Sequence, residues 1–193
     1  MFDPLSPDRA LPENDASVFA VQADLCDDNS VRRTVEIVLA RYDRIDLVVN
    51  AAADMQLASL LDSPTICDLA SRQFAVNVTA PLRLATVVAE MYWSAHELEN
   101  RRERRNIVNI TSVSAIQVFP HCGQAIYSAS KAAFLLLSCH MSAEFASLGI
   151  RVNAIAPTAF PRLVSTDAVL DAIEQLDRGS DSGKTLVLDA AAE

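Results

Sequence analysis

Glycine is scarce in this chain: Gly123, Gly149, Gly179 and Gly183 are all that its 193 residues contain, and none precedes position 123. A phosphate-cradling turn between a strand and a helix needs glycine for close backbone approach. Residues 1–122 therefore hold no such turn. Cysteine is sparse as well. Cys26, Cys67, Cys122 and Cys139 have no CxxC or metal-like spacing and read as free thiols of a reducing cytoplasm. His96, His121 and His140 are scattered, so no metal site is expected. Positive charge is also in deficit. The 16 basic side chains face 25 acidic ones, and the net charge of −9 argues against nucleic-acid and anionic-membrane partners. The one basic run, Arg101 to Arg105 with Glu103 inside it, reads as a solvated loop. No apolar run approaches the ~18 residues that span a bilayer. The start, Met1-Phe2-Asp3-Pro4, lacks the charged-then-apolar pattern of a signal peptide.

What is present is a chain that is 51% hydrophobic, enough for one domain with a core. Residues 1–16, rich in Pro, Asp and Asn, read as a loop or disordered arm before a single truncated domain over 17–193. Ser17–Ala23 is a short β-branched run that predicts a strand ending at Asp24. Cap candidates at Cys26–Ser30 precede an amphipathic helix, Val31–Tyr42. Asp46–Asn50 is the near-continuous apolar run of a buried parallel strand. Ser63-Pro64 predicts a helix start, and Pro81 a kink or break in the helix that follows towards Trp93. Ala95–Arg105 reads as a polar linker. Later elements are a helix over Asp167–Leu176, a turn, and a last strand at Thr185–Asp189.

The rest is organised around Asn106–Ala156: a strand, a loop, a long helix from Tyr127 to Leu148, and a second strand from Ile150. Tyr127 and Lys131, four apart, share one helix face. An ammonium beside a phenol favours phenolate and makes it a usable proton donor or acceptor. The strand Ile107–Ile110 delivers Thr111, Ser112 and Ser114 at its carboxyl end, where open α/β sheets bind ligands.

The order NIVNITS, FP, YSASKAA and GIRVNAIAP resembles the short-chain dehydrogenase/reductase family over roughly Ser17–Asp189. The resemblance implies a Rossmann-like, three-layer parallel α/β sheet, here incomplete. It implies NAD or NADP as cofactor, a small carbonyl or alcohol substrate, and a homo-oligomer paired through the Tyr127 and Asn77 helices. It assigns catalysis to Tyr127, Lys131, a serine and Asn77, with Asn77 helping to hold a water on the lysine side. The alternative for Asn77 is that it satisfies backbone groups freed by Pro81. Counting from NIVNIT selects Ser112, which is preferred; counting back from Tyr127 selects Ser114. Cofactor contacts fall on Asp24, Asn50, Ala51, Ala52, Tyr127, Lys131, Pro157 and Thr158. Asp24 is equally an acidic residue near a helix start.

The chain departs from the family where glycine is expected: Ala53 closes the motif after Asn50, Thr158 follows Pro157, and Ala190-Ala191 follow Asp189. The strand, glycine turn and helix that hold the pyrophosphate, a unit of ~30 residues, have no counterpart. The covering segment over Ala159–Thr166 looks reduced. A fragment or misassigned start is favoured, against a natural truncation in which the Ser17–Ala23 strand moves inward, or a partner supplying the strands. Two functions follow: an oxidoreductase, or a non-catalytic remnant that acts by association.

Overall fold

A computed structural model describes residues 18–61, 64–158 and 164–189. The arm at 1–16, the Ser63 cap and most of the reduced covering segment, 159–163, lie outside them. The elements are α1 (Asp28–Tyr42), β1 (Leu47–Asn50), α2 (Ile66–Phe74), α3 (Ala80–Met91), α4 (Glu97–Glu103), β2 (Asn106–Ile110), α5 (Ala125–Phe145), β3 (Arg151–Pro157), α6 (Thr166–Arg178) and β4 (Thr185–Leu188).

The strands form one four-stranded parallel sheet in the order β1-β2-β3-β4. Strand β3 is buried along its whole length, as its apolar sequence requires. One face packs Val48, Ile107 and Val152 against α1, α3 and α5 through Val35, Val88, Trp93 and Met141. The other packs Val108 and Ile155 against Ala172 and Leu176 of α6. This is the three-layer α/β arrangement, with β1 at an edge. Val49 is 37% exposed there because no described helix covers it.

Residues 18–23 form no strand, contrary to the reading of Ser17–Ala23. A strand needs a paired neighbour for its backbone groups, and none of the described strands lies beside it. Val18 and Phe19 are exposed, and Arg41 stacks on the Phe19 ring.

The helix expected from Ser63-Pro64 starts at Ile66, with Thr65 at its cap and no side-chain capping bond. Pro81 does not break it. A turn of π-helix at Ala75–Thr79 absorbs the irregularity, and Pro81 falls in the first turn of α3, where its missing N–H costs little. The result is a continuous helical stretch, Ile66–Ala95, of 30 residues. By length and composition it could cross a bilayer, contrary to the expectation that no such stretch exists. Ala85, Val87, Val88 and Trp93 on it belong to the core.

The polar linker at 95–105 is also a misreading, because 97–103 form α4. Arg105 is fully buried rather than solvated. Its guanidinium donates to Asp46, Glu99, Asn100 and the Tyr92 hydroxyl, at 2.6–3.1 Å. It anchors the amino end of β2, away from the strand ends that carry the site.

Candidate active site

Parallel pairing sets Asn50, Ile110 and Pro157 at the carboxyl ends of adjacent strands. Thr111 ties β2 to β3 there, its N–H and hydroxyl both donating to the Ile155 carbonyl at 2.7 and 2.9 Å. Ser112 is extended, and its Oγ accepts from the Ser114 N–H at 3.1 Å. Ser114 turns instead to the side-chain oxygen of Gln124, at 3.1 Å. Helix α5 begins after Gln124, so Tyr127 and Lys131 lie in its first two turns.

Tyr127 is 8% exposed and Lys131 2%. Burial pushes the Tyr127 phenol above its ordinary value, and the Ser112 hydroxyl pulls it part of the way back. Of the two candidate serines, Ser112 is the one that bears on the phenol, while Ser114 is engaged with Gln124. Lys131 donates from Nζ to the Ile110 carbonyl at 2.9 Å, 5.9 Å from the centre of the Tyr127 ring. Burial lowers its pKa to about 8. The sequence reading had the ammonium depressing the phenol. In the structure desolvation dominates both groups, and Ser112 is the group that acts on the phenol.

Asn77 sits in the π-turn, fully engaged. Its Oδ1 accepts from the Asp54 N–H at 2.8 Å, and its Nδ2 donates to the Asp54 carbonyl and to Ser130 Oγ, both at 2.9 Å. The Ser130 hydroxyl donates in turn to the Tyr127 carbonyl at 2.7 Å. The side chain thus serves the loop after β1 and helix α5, not backbone groups at Pro81. Asn50 donates to Asn109 at 2.8 Å, and Asn109 to Ser138 on α5 at 2.8 Å. Ser130, Asn109 and Gln124 escaped the sequence reading. Asn109 stands as a polar residue inside the apolar run of β2, a signal that could have marked it.

The other expected residues are dispersed. Asp24 is exposed, its carboxylate accepting from the Cys26 N–H at 2.8 Å before α1. Ala51 and Ala52 follow β1 and line a hollow of about 70 Å³ with Asn50, Leu25 and Val76. Pro157 ends β3, and Thr158 donates twice to the Leu188 carbonyl. Among the described residues no group of His, Cys, Asp and Glu could hold a metal.

The family model described as short chain dehydrogenase matches residues 7–171. The chain belongs to this family. Among its members, 3beta-hydroxysteroid dehydrogenase 1 of Eggerthella lenta is 31% identical over 163 residues, 84% of this chain and 59% of that protein. The glucose and ribitol dehydrogenase of Daucus carota is 30% identical over 138 residues, 72% of this chain and 43% of that protein. A solved 4-hydroxyisoleucine dehydrogenase, complexed with NADH and succinate, superposes with a TM-score of 0.73 at 27% identity, covering 88% of this chain and 78% of that one. The chain thus spans roughly half the length of these two curated relatives. The candidate residues gather at the carboxyl ends of the parallel sheet, where open α/β folds bind ligands.

A nicotinamide dinucleotide, which the family implies, fits the described residues at one end. The buried Lys131 ammonium has N–H groups beyond the one given to Ile110, suited to ribose hydroxyls. For the pyrophosphate end, no residue before Gly123 is a glycine, and among the described residues β1 has no second neighbour.

Proposed function

We propose that this chain carries the catalytic part of an NAD- or NADP-dependent oxidoreductase acting on a small carbonyl or alcohol. The observation that carries this reading is the buried Tyr127–Ser112 pair with Lys131 one helical turn behind it. The cofactor, when bound, supplies or accepts the hydride. Tyr127 gives its proton to the carbonyl oxygen in reduction and takes it back in oxidation. Ser112 donates to the same oxygen and stabilises the charge that develops on it. Lys131, still mostly charged at neutral pH, binds the ribose. Asn77 holds the loop after β1 against α5, so that Asn50, Ala51 and Ala52 border the cofactor.

The molecule is further read as a homo-oligomer paired through α5, where Leu136 is exposed, in a reducing cytoplasm that suits its exposed thiols. An association-only role fits the open β1 edge, but it gives no reason for a buried lysine and tyrosine behind a strand end. The test is Tyr127→Phe. Turnover of a responsive alcohol should fall by on the order of 10²–10⁴-fold with the fold intact by circular dichroism. Unchanged turnover would remove Tyr127 from the chemistry.

A further inference from the structure

Beside the reacting pair lies a cleft of about 880 Å³, between the segment 58–61, the loop 114–124 and the first turns of α5. Tyr127, Ser112 and Lys131 do not line it. It meets them through Ser114, whose N–H bonds Ser112, and through Gln124, three residues before Tyr127. It is therefore an approach to the site rather than the reaction chamber itself.

Its chemistry is one-sided. Leu60, Leu61, Ile116, Val118 and Phe119 supply most of the body. Leu61 is 94% exposed and Val118 85%, although apolar. No Lys, Arg, Asp or Glu is among the described lining residues. Neutral polar groups and one imidazole also border it, from Ser59, Ser114, Gln117, His121, Gln124 and Ser128. Ser114 Oγ donates to Gln124 Oε1, which leaves the Gln124 amide nitrogen without a partner among the described residues. That nitrogen is a neutral donor suited to an oxygen acceptor. The walls are fixed, because the Ala58 N–H donates to the Gly123 carbonyl at 2.9 Å. Gly123 has φ +62°, and a Cβ there would stand 3.2 Å from the Ala58 backbone. The net charge of −9 adds a field that repels anions.

We propose that the cleft bounded by Leu61, Val118 and Gln124 selects an uncharged, predominantly apolar alcohol or ketone, and rejects polyols and carboxylates. An anionic substrate would meet no lysine or arginine among the described lining residues. A polyol would lose water from the hydroxyls set against Leu60, Leu61, Ile116, Val118 and Phe119, which offer no partner there. An apolar ring or chain gains by covering the exposed leucine and valine surface, and its single oxygen points inward past Gln124. The inference rests on the oxidoreductase reading for its direction, but the cleft can be tested without turnover.

Cys122 lines the cleft and is exposed, while Cys26, Cys67 and Cys139 are exposed elsewhere and serve as internal references. Alkylation of the four thiols of the whole chain by iodoacetamide can be followed peptide by peptide. Menthol or menthone, at about ten times its dissociation constant, should slow Cys122 about tenfold and leave the reference thiols unchanged. Ribitol and lactate should leave all four rates alone. Val118→Glu places a carboxylate at an exposed wall position with little risk to folding, and should weaken the menthol protection by about tenfold.

Protection of Cys122 by ribitol or lactate, or by none of the ligands, would overturn the proposal. Protection by menthol with no turnover of any alcohol in the presence of cofactor would leave the cleft's preference standing and remove the oxidoreductase reading. Turnover confined to polyols or hydroxy acids would do the reverse.

Discussion

Lys131 is an ionisable group held in the wrong solvent. Its folded pKa of about 8 lies below the 10.5 of a free lysine. Between those values the unfolded chain binds more protons than the folded one, so stability rises with pH across that window. The full rise is up to about 3 kcal/mol. Tyr127 works the other way. Burial raises its pKa, so above about 10 the folded state holds a proton that the unfolded state releases, and stability falls. Urea denaturation should therefore show a stability that climbs from pH 8 and turns over above about 10. Lys131→Met should flatten the climb. A climb of the same size in that variant would mean that other groups titrate there. The Tyr127–Lys131 spacing was visible in the sequence because helix geometry alone puts four-apart residues together. The dominance of desolvation over their mutual attraction was not, since burial is a property of the packed chain.

Elements end and join where local chemistry allows. Helix α5 passes through a tight turn, Ala146–Leu148, to Gly149 at φ +75°. A Cβ there would stand 2.5 Å from Arg101 Cγ and 3.1 Å from the Glu97 carbonyl. Gly149→Ala combines left-handed strain with that contact and should lower stability by about 2 kcal/mol in denaturant titration. No measurable loss would show that α4 yields freely. This stop was legible, as were β1, β2, β3 and α6, because apolar period, caps and glycine are local signals. The Ser17–Ala23 strand was wrong for a physical reason: β-propensity proposes a strand, and only a neighbour makes one. Pro81 misled similarly. Its penalty applies inside a regular helix, and the π-turn before it places it in a first turn.

For the whole molecule, the open side of the sheet matters most. Strand β1 pairs only with β2 among the described residues, and Val49 is exposed on it. An apolar parallel edge strand is a template for another chain. Concentration-dependent association beyond any pairing through α5 is expected by sedimentation velocity, and Val49→Lys should reduce it several-fold by placing a charge on the edge. Association indifferent to that change would locate the contact elsewhere. The β1 edge also bounds what this fold offers a dinucleotide: a lysine for the ribose end, and nothing described for the phosphates.

By itself the sequence determined the family, the order of strands from β1 onward and the Tyr127–Lys131 spacing, because these reside in period, spacing and motif. Tertiary structure decided what Ser114, Asn77 and Arg105 bond to, and that a largely apolar cleft opens beside α5. Those outcomes depend on which distant segments meet, and on how much water is left between them.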